Sequence, residues 1–143
     1  MAGTVSGHGQ PEYFEHGADV GIVGRGARVE DALAAAARSA FALTTRLEDV
    51  RPLERIEVDF DEDDPEFALV TWINLLLARS QSRGLALGTF ALAREGSRWR
   101  GEAWGEPWRE GLERGIDVKG ATLTMLSVKP APGGWEARCV VDV

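Results

Sequence analysis

Two acids stand where acids are unexpected, and they carry the clearest chemical potential in the chain. Asp142 lies one place before the end of the 143 residues, in an otherwise apolar run of Cys139, Val140, Val141 and Val143. Its carboxylate and the terminal carboxylate of Val143 put two oxygen donors side by side. Asp19 likewise interrupts the small apolar stretch from Ala18 to Ile22. Oxygens of this kind hold hard divalent cations. From composition alone a frayed, solvated chain end is the simpler account of Asp142. A cation site requires the fold to bring Asp19 to Asp142.

Other chemistry is sparse. The histidines, His8 and His16, form no HxxxH pair or other metal-ligand spacing, which speaks against zinc. No phosphate-cradling glycine loop, dinucleotide fingerprint or nucleophile elbow is present. The acidic run Asp59 to Asp64 lacks the mid-loop glycine and distal glutamate of a calcium loop, and Pro65 follows at once. It reads as a strand-to-helix connection with Asp64 as the helix cap. Cys139 is the sole cysteine, so it forms no internal disulfide; its place in strand-like sequence suits a small buried hydrophobe and a reducing cytoplasm.

The net charge is −7 and the isoelectric point about 4.9. A protein gripping an RNA backbone needs a basic surface to neutralise phosphates. Here Arg94, Arg98, Arg100, Arg109 and Arg114 are interleaved with Glu95, Glu102, Glu106, Glu110 and Glu113, the pattern of a solvated mixed-charge surface. Any RNA involved is therefore expected to be held by a basic partner. No apolar run approaches the ~20 residues that span a bilayer. The first ten residues, MAGTVSGHGQ, lack the basic and apolar regions of a secretion signal. They read as the start of a flexible tail, residues 1–12, with one domain over 13–143 and a cytoplasmic location.

The elements that must position the acids follow from periodicity. Leu33, Ala36, Ala37, Ala40 and Phe41 form one apolar stripe of a helix over Val29 to Thr45, with Glu30 and Asp31 at its electropositive start. A second helix opens with Asp64-Pro65-Glu66, carries Leu69, Val70, Ile73, Leu76 and Leu77 on one face, and ends near Arg79. Strands are expected at Asp19 to Val23 and at Arg55 to Phe60, where Ile56, Val58 and Phe60 point inward. Two hairpins complete the pattern: Ala86 to Arg94 with Ser97 to Trp104, and Ala121 to Lys129 with Trp135 to Val143 across the turn-rich PAPGG. The economical assembly is an α+β fold, a mostly antiparallel sheet with two helices on one face, in a single compact domain.

YFEHGADVG at Tyr13 to Gly21 resembles the opening signature of the archease family, a Tyr/Phe-x-x-His-Thr-Ala-Asp-x-Gly pattern. VEDALAAAARSAF resembles that family's first helix, and LVTWINLLLAR its Asp-Trp-Leu-Asn-Glu-Leu-Leu helix. IDVKGATLTMLSV resembles its Val-Lys-Ala-Val-Thr-Tyr-His-x-Leu strand, and WEARCVVDV its terminal strand, which ends in aspartate plus one aliphatic residue. Their order and spacing cover the chain from Tyr13 to Val143.

The resemblance implies a compact α+β domain without catalytic activity. It implies an activator of the RtcB-type RNA ligase of tRNA splicing and RNA repair, which uses GTP and manganese; the helper promotes ligase guanylylation and multiple turnover. It implies a divalent cation, calcium first and magnesium or manganese as alternatives, on Asp19, Asp142 and Val143, with Lys119 as a functional lysine toward the partner. A diverged metal-binding chaperone without a ligase client is the alternative. His16 matches the motif as a structural residue. Gly17 stands where threonine is usual, Thr71 where an acid is, Leu75 where glutamate is, and Leu123-Thr124 where Tyr-His is. These departures bear on which partner is served.

Overall fold

The computed structural model describes residues 10–143. Residues 1–9 of the expected tail lie outside that span, and Glu12 already opens a strand. The elements run β1 (Glu12–His16), β2 (Asp19–Gly26), α1 (Val29–Ala42), a 3-10 turn (Leu47–Asp49), β3 (Glu54–Asp61), α2 (Pro65–Arg83), β4 (Leu85–Glu95), β5 (Arg98–Pro107), β6 (Gly120–Ala121), β7 (Ser127–Ala131) and β8 (Gly134–Asp142). Every strand pairing is antiparallel.

The strands divide between two sheets where the sequence suggested one. The five-stranded sheet has the order β1-β2-β8-β6, with β7 also on β8; the three-stranded sheet has the order β3-β5-β4. Helix α1 packs against β2 and β8 of the first sheet and β4 of the second. It is therefore covered well beyond its one apolar stripe: Ala32, Ala34 and Ala35 are buried along with Leu33, Ala36, Ala37, Ala40 and Phe41. Alanine suits such a position because it lets a helix approach a sheet closely at no rotamer cost. The approach is so close at Gly24 of β2 that a Cβ there would collide with the backbone of Ala32 and Ala36. Helix α2 is tied to α1 by Trp72, fully buried, whose indole N–H donates to the Leu33 carbonyl at 3.1 Å.

Helix α2 begins as expected. The Asp64 carboxylate accepts the Glu66 N–H at 2.8 Å, and Pro65 occupies the first turn. It runs a turn beyond Arg79 because the stop lies at Gly84, left-handed at φ 66°, and Ser80 continues the buried face. Helix α1 stops at Ala42, short of Thr45, where the Thr44 hydroxyl donates to the Phe41 carbonyl at 2.7 Å.

The expected strand over Ala121 to Lys129 is broken. Thr122 turns its hydroxyl onto the Val140 carbonyl (2.8 Å), and the Thr124 carbonyl accepts the Val140 N–H (3.1 Å). Met125 then adopts φ 55°, so pairing resumes only at Ser127. Strand β1 was not anticipated; its residues alternate too weakly between polar and apolar to read as a strand.

Glu106, at the end of β5, is 1% exposed and fastens the segment after the 3-10 turn. Its carboxylate accepts from the Arg109 guanidinium (2.8 Å), and from the Arg51 guanidinium (2.7 Å) and N–H (2.8 Å). The two arginines themselves meet solvent. Hydrogen bonds from Arg109 first, then Arg51, lower its pKa from the ordinary 4.5 to about 2. A depressed carboxylate stabilises the fold above its unfolded pKa and loses that contribution as pH falls toward the folded one. Denaturant titrations of the Glu106→Gln variant are thus expected to show a lower midpoint at neutral pH. They should also show a shallower decline than the parent between about pH 4.5 and about 2. Parallel acid limbs would contradict this role for Glu106.

Candidate functional site

Asp19 is placed by a two-residue turn. His16 and Asp19 close the β1–β2 hairpin, and Gly17, first in the turn, has φ 59°. Hairpin turns with glycine in this first position match the right-handed twist of the strands they join. Asp19 is half-buried as the first residue of β2.

Asp142 comes to it from the other end of the chain. The β2–β8 register pairs Val20 with Val141, so one further step sets Asp19 against Asp142. Opposed residues of an antiparallel pair lie on the same face of the sheet. His16 pairs with Asp19, and Gly120 of β6 with Asp142, which makes a row of four across the sheet: His16, Asp19, Asp142, Gly120. The Asp19 carboxylate accepts the Val143 N–H at 3.3 Å. The Lys119 N–H donates to the Asp142 carbonyl at 2.8 Å. Val143 is half-buried against the core, so the last residues are anchored and not frayed. Asp19, Asp142 and Val143, singled out by type, and Lys119, given by the resemblance, are neighbours through these pairings and bonds.

The set fits a hard cation in donor chemistry: two aspartates and the Val143 carboxylate offer only oxygens. Among the described residues no three His, Cys, Asp or Glu side chains converge on a metal site, so the set depends on the Val143 carboxylate as third donor. Nor does any ion pair among the described residues join Lys119 to Asp19 or Asp142. The lysine is exposed. Like charges gathered at one sheet end repel unless a cation or partner compensates. An open cleft of about 420 Å³ adjoins Asp19, lined also by Tyr13, Phe14, Glu15, Gly17 and Val20.

The remaining candidates have structural employment. Asp59 and Asp61 pair with Arg98 at 2.9 and 3.1 Å, and Asp64 caps α2. Cys139 is fully buried, and burial pushes its thiol pKa up to about 12, so it acts as a small hydrophobe. Sequence reasoning passed over Asn74 of α2, whose side chain bonds both backbone groups of Ala121 in β6. The signals were an amide set between Ile73 and Leu75 in an apolar helix and the asparagine of the helix motif that LVTWINLLLAR resembles.

The archease protein family model matches residues 12–143. The chain belongs to the archease family. It is 35% identical over 137 residues to protein archease of Saccharolobus solfataricus, covering 94% of this chain and 99% of that one. It is 31% identical to protein archease of Thermococcus kodakarensis, covering 92% and 97%. Among solved structures, protein 1598 of Methanobacterium thermoautotrophicum superposes with a TM-score of 0.72 at 25% identity, covering 93% of this chain and 98% of that one. A Thermotoga maritima crystal structure, described as an archease and possible chaperone, superposes with a TM-score of 0.59 at 20% identity; it shares the fold. The archease fold here thus has two helices and antiparallel sheets in one compact domain. Among the described residues no helix is long and apolar enough to cross a membrane.

The Gly17 turn gives a direct check on how the site is built. A β-branched residue at positive φ is strained by about 1–3 kcal/mol. Gly17→Thr, which installs the usual archease residue, is expected to lower the denaturant midpoint by that order while the fold persists. An unchanged midpoint would mean that the turn does not hold φ 59° in solution.

Proposed function

We propose that this chain is a non-enzymatic activator of an RtcB-type RNA ligase, promoting ligase guanylylation and repeated turnover. In this reading Asp19, Asp142 and the carboxylate of Val143 hold a divalent cation, calcium first and magnesium or manganese as alternatives. The observation that carries it is the meeting of Asp19 with the chain's last two residues, fixed by the Val20–Val141 register and the Val143 N–H bond. A bound cation would supply positive charge to three crowded carboxylates and an attachment point for an anionic group of the partner.

The chain's own residues do the rest. The Gly17 turn and the β2–β8 ladder hold the oxygens on rigid backbone, so little ordering is required on binding. Lys119, exposed and beside Asp142 in the backbone ladder, offers a strongly hydrated point charge to a phosphate or acid on the ligase. The acidic surface as a whole favours a basic partner that itself carries the RNA. Four of the five departures from the family motif, Thr71, Leu75, Leu123 and Thr124, sit on α2 and in the turn after β6. They make these segments less charged than the motif provides and in this reading bear on which ligase is served.

Reconstitution with the same organism's ligase tests this. Adding the protein should raise ligase-guanylate formation and product turnover. Asp19→Ala or Asp142→Ala should weaken calcium binding by about tenfold or more and remove the stimulation. A cognate ligase that is indifferent to the protein would defeat the assignment. Suppression of aggregation of unrelated proteins, equal in the parent and in Asp19→Ala, would instead indicate a general chaperone.

A further inference from the structure

Strand β6 is two residues long and, among the described residues, pairs with β8 on one side only. On that side Lys119 N–H donates to the Asp142 carbonyl at 2.8 Å and Thr122 N–H to the Val140 carbonyl at 3.0 Å. Residues 119 and 122 are an odd number of steps apart, so the ladder is irregular between them, and the polar groups of Ala121 are bonded from the side away from β8. Helix α2 passes there, and Asn74 stands in for the missing strand. Its Oδ1 accepts the Ala121 N–H at 2.8 Å and its Nδ2 donates to the Ala121 carbonyl at 3.3 Å. One side chain thereby reproduces the two-bond exchange of a paired strand residue, and the two partners fix which way the amide points.

Nothing local requires asparagine at this place. Within a helix it is a poorer former than the leucines and alanines around it. Its residue is exposed, so its amide would otherwise be free for water. Its bonds go instead to a residue 47 positions away. That residue lies two places after Lys119 and is paired with Val141, next to Asp142.

We infer that Asn74 is a positioning residue for the site: by clamping Ala121 it holds β6 against the end of β8, at Val141 and Asp142. This sets Lys119 and Asp142 in fixed relation to Asp19. The inference rests on the reading of the site given under Proposed function. It assigns to α2 a control over the site that none of the acids reveals.

Asn74→Ala and Asn74→Asp separate this role from a merely structural one. The aspartate keeps an acceptor for the Ala121 N–H, the shorter of the two bonds, and loses the donor. In Asn74→Ala, hydrogen exchange at the Ala121 amide should speed up about tenfold or more, while amides in the middle of α2 and β5 keep their protection. Calcium affinity, read by titration calorimetry, should fall about tenfold, as for other groups that orient ligands. Ligase guanylylation at sub-saturating protein should fall with it, and Asn74→Asp should recover part of both. An Asn74→Ala protein with parental calcium affinity and parental stimulation overturns the positioning role alone. A parent protein that binds no calcium and stimulates no ligase overturns the reading beneath it.

Discussion

The antiparallel ladder between β2 and β8 is the constraint on which the rest depends. It joins a strand that starts at residue 19 to one that ends at residue 142, and it runs unbroken from Val20–Val141 to Gly26–Trp135. Its hydrophobic side rests on α1. A slip of one residue would turn Ile22, Cys139 and Val141 away from the core, so the register is strongly specified. Asp19 and Asp142 lie immediately past the last of these pairs. Their proximity is therefore a by-product of core packing and comes without a dedicated loop to bring them together.

Packing around that ladder explains why so small a chain can hold acids close. Helix α1 is alanine-rich because it lies against both sheets, and Gly24 leaves room for its backbone. Trp72 locks α2 to α1, and Asn74, half a turn further on, reaches β6. Asp19 on β2 and Asp142 on β8 thus sit on a strand pair braced from two sides: by β1 and its tight Gly17 turn, and by β6 and its clamp. Repulsion among carboxylates is tolerable on such a frame, because the strands cannot relax without exposing the core.

Much of this could be read from residue order. Asp64-Pro65 marked the start of α2 because a capping carboxylate and a proline leave few other conformations. Alternation in Arg55 to Phe60 gave β3, with Ile56 and Val58 buried as expected. Asp19, Asp142 and Val143 stood out as oxygen donors against apolar neighbours. What escaped were features decided by distant partners. Two sheets cannot be told from one when each strand shows only its own alternation. The break after Ala121 depends on Thr122 finding Val140, and Asn74 looks like any helix asparagine until Ala121 is beside it. Gly84 was a stop signal in plain view, overlooked because the apolar stripe faded at Arg79.

The central claim is that oxygens from Asp19, Asp142 and Val143 jointly hold one ion. Anomalous scattering from crystals grown with manganese tests it most directly, since manganese prefers the same hard oxygens and reports its own position. A single strong peak is expected within bonding distance of both aspartates and the terminal carboxylate. A peak at some other acidic cluster, with Asp19 still hydrogen-bonded to Val143 and no ion beside it, would contradict the account.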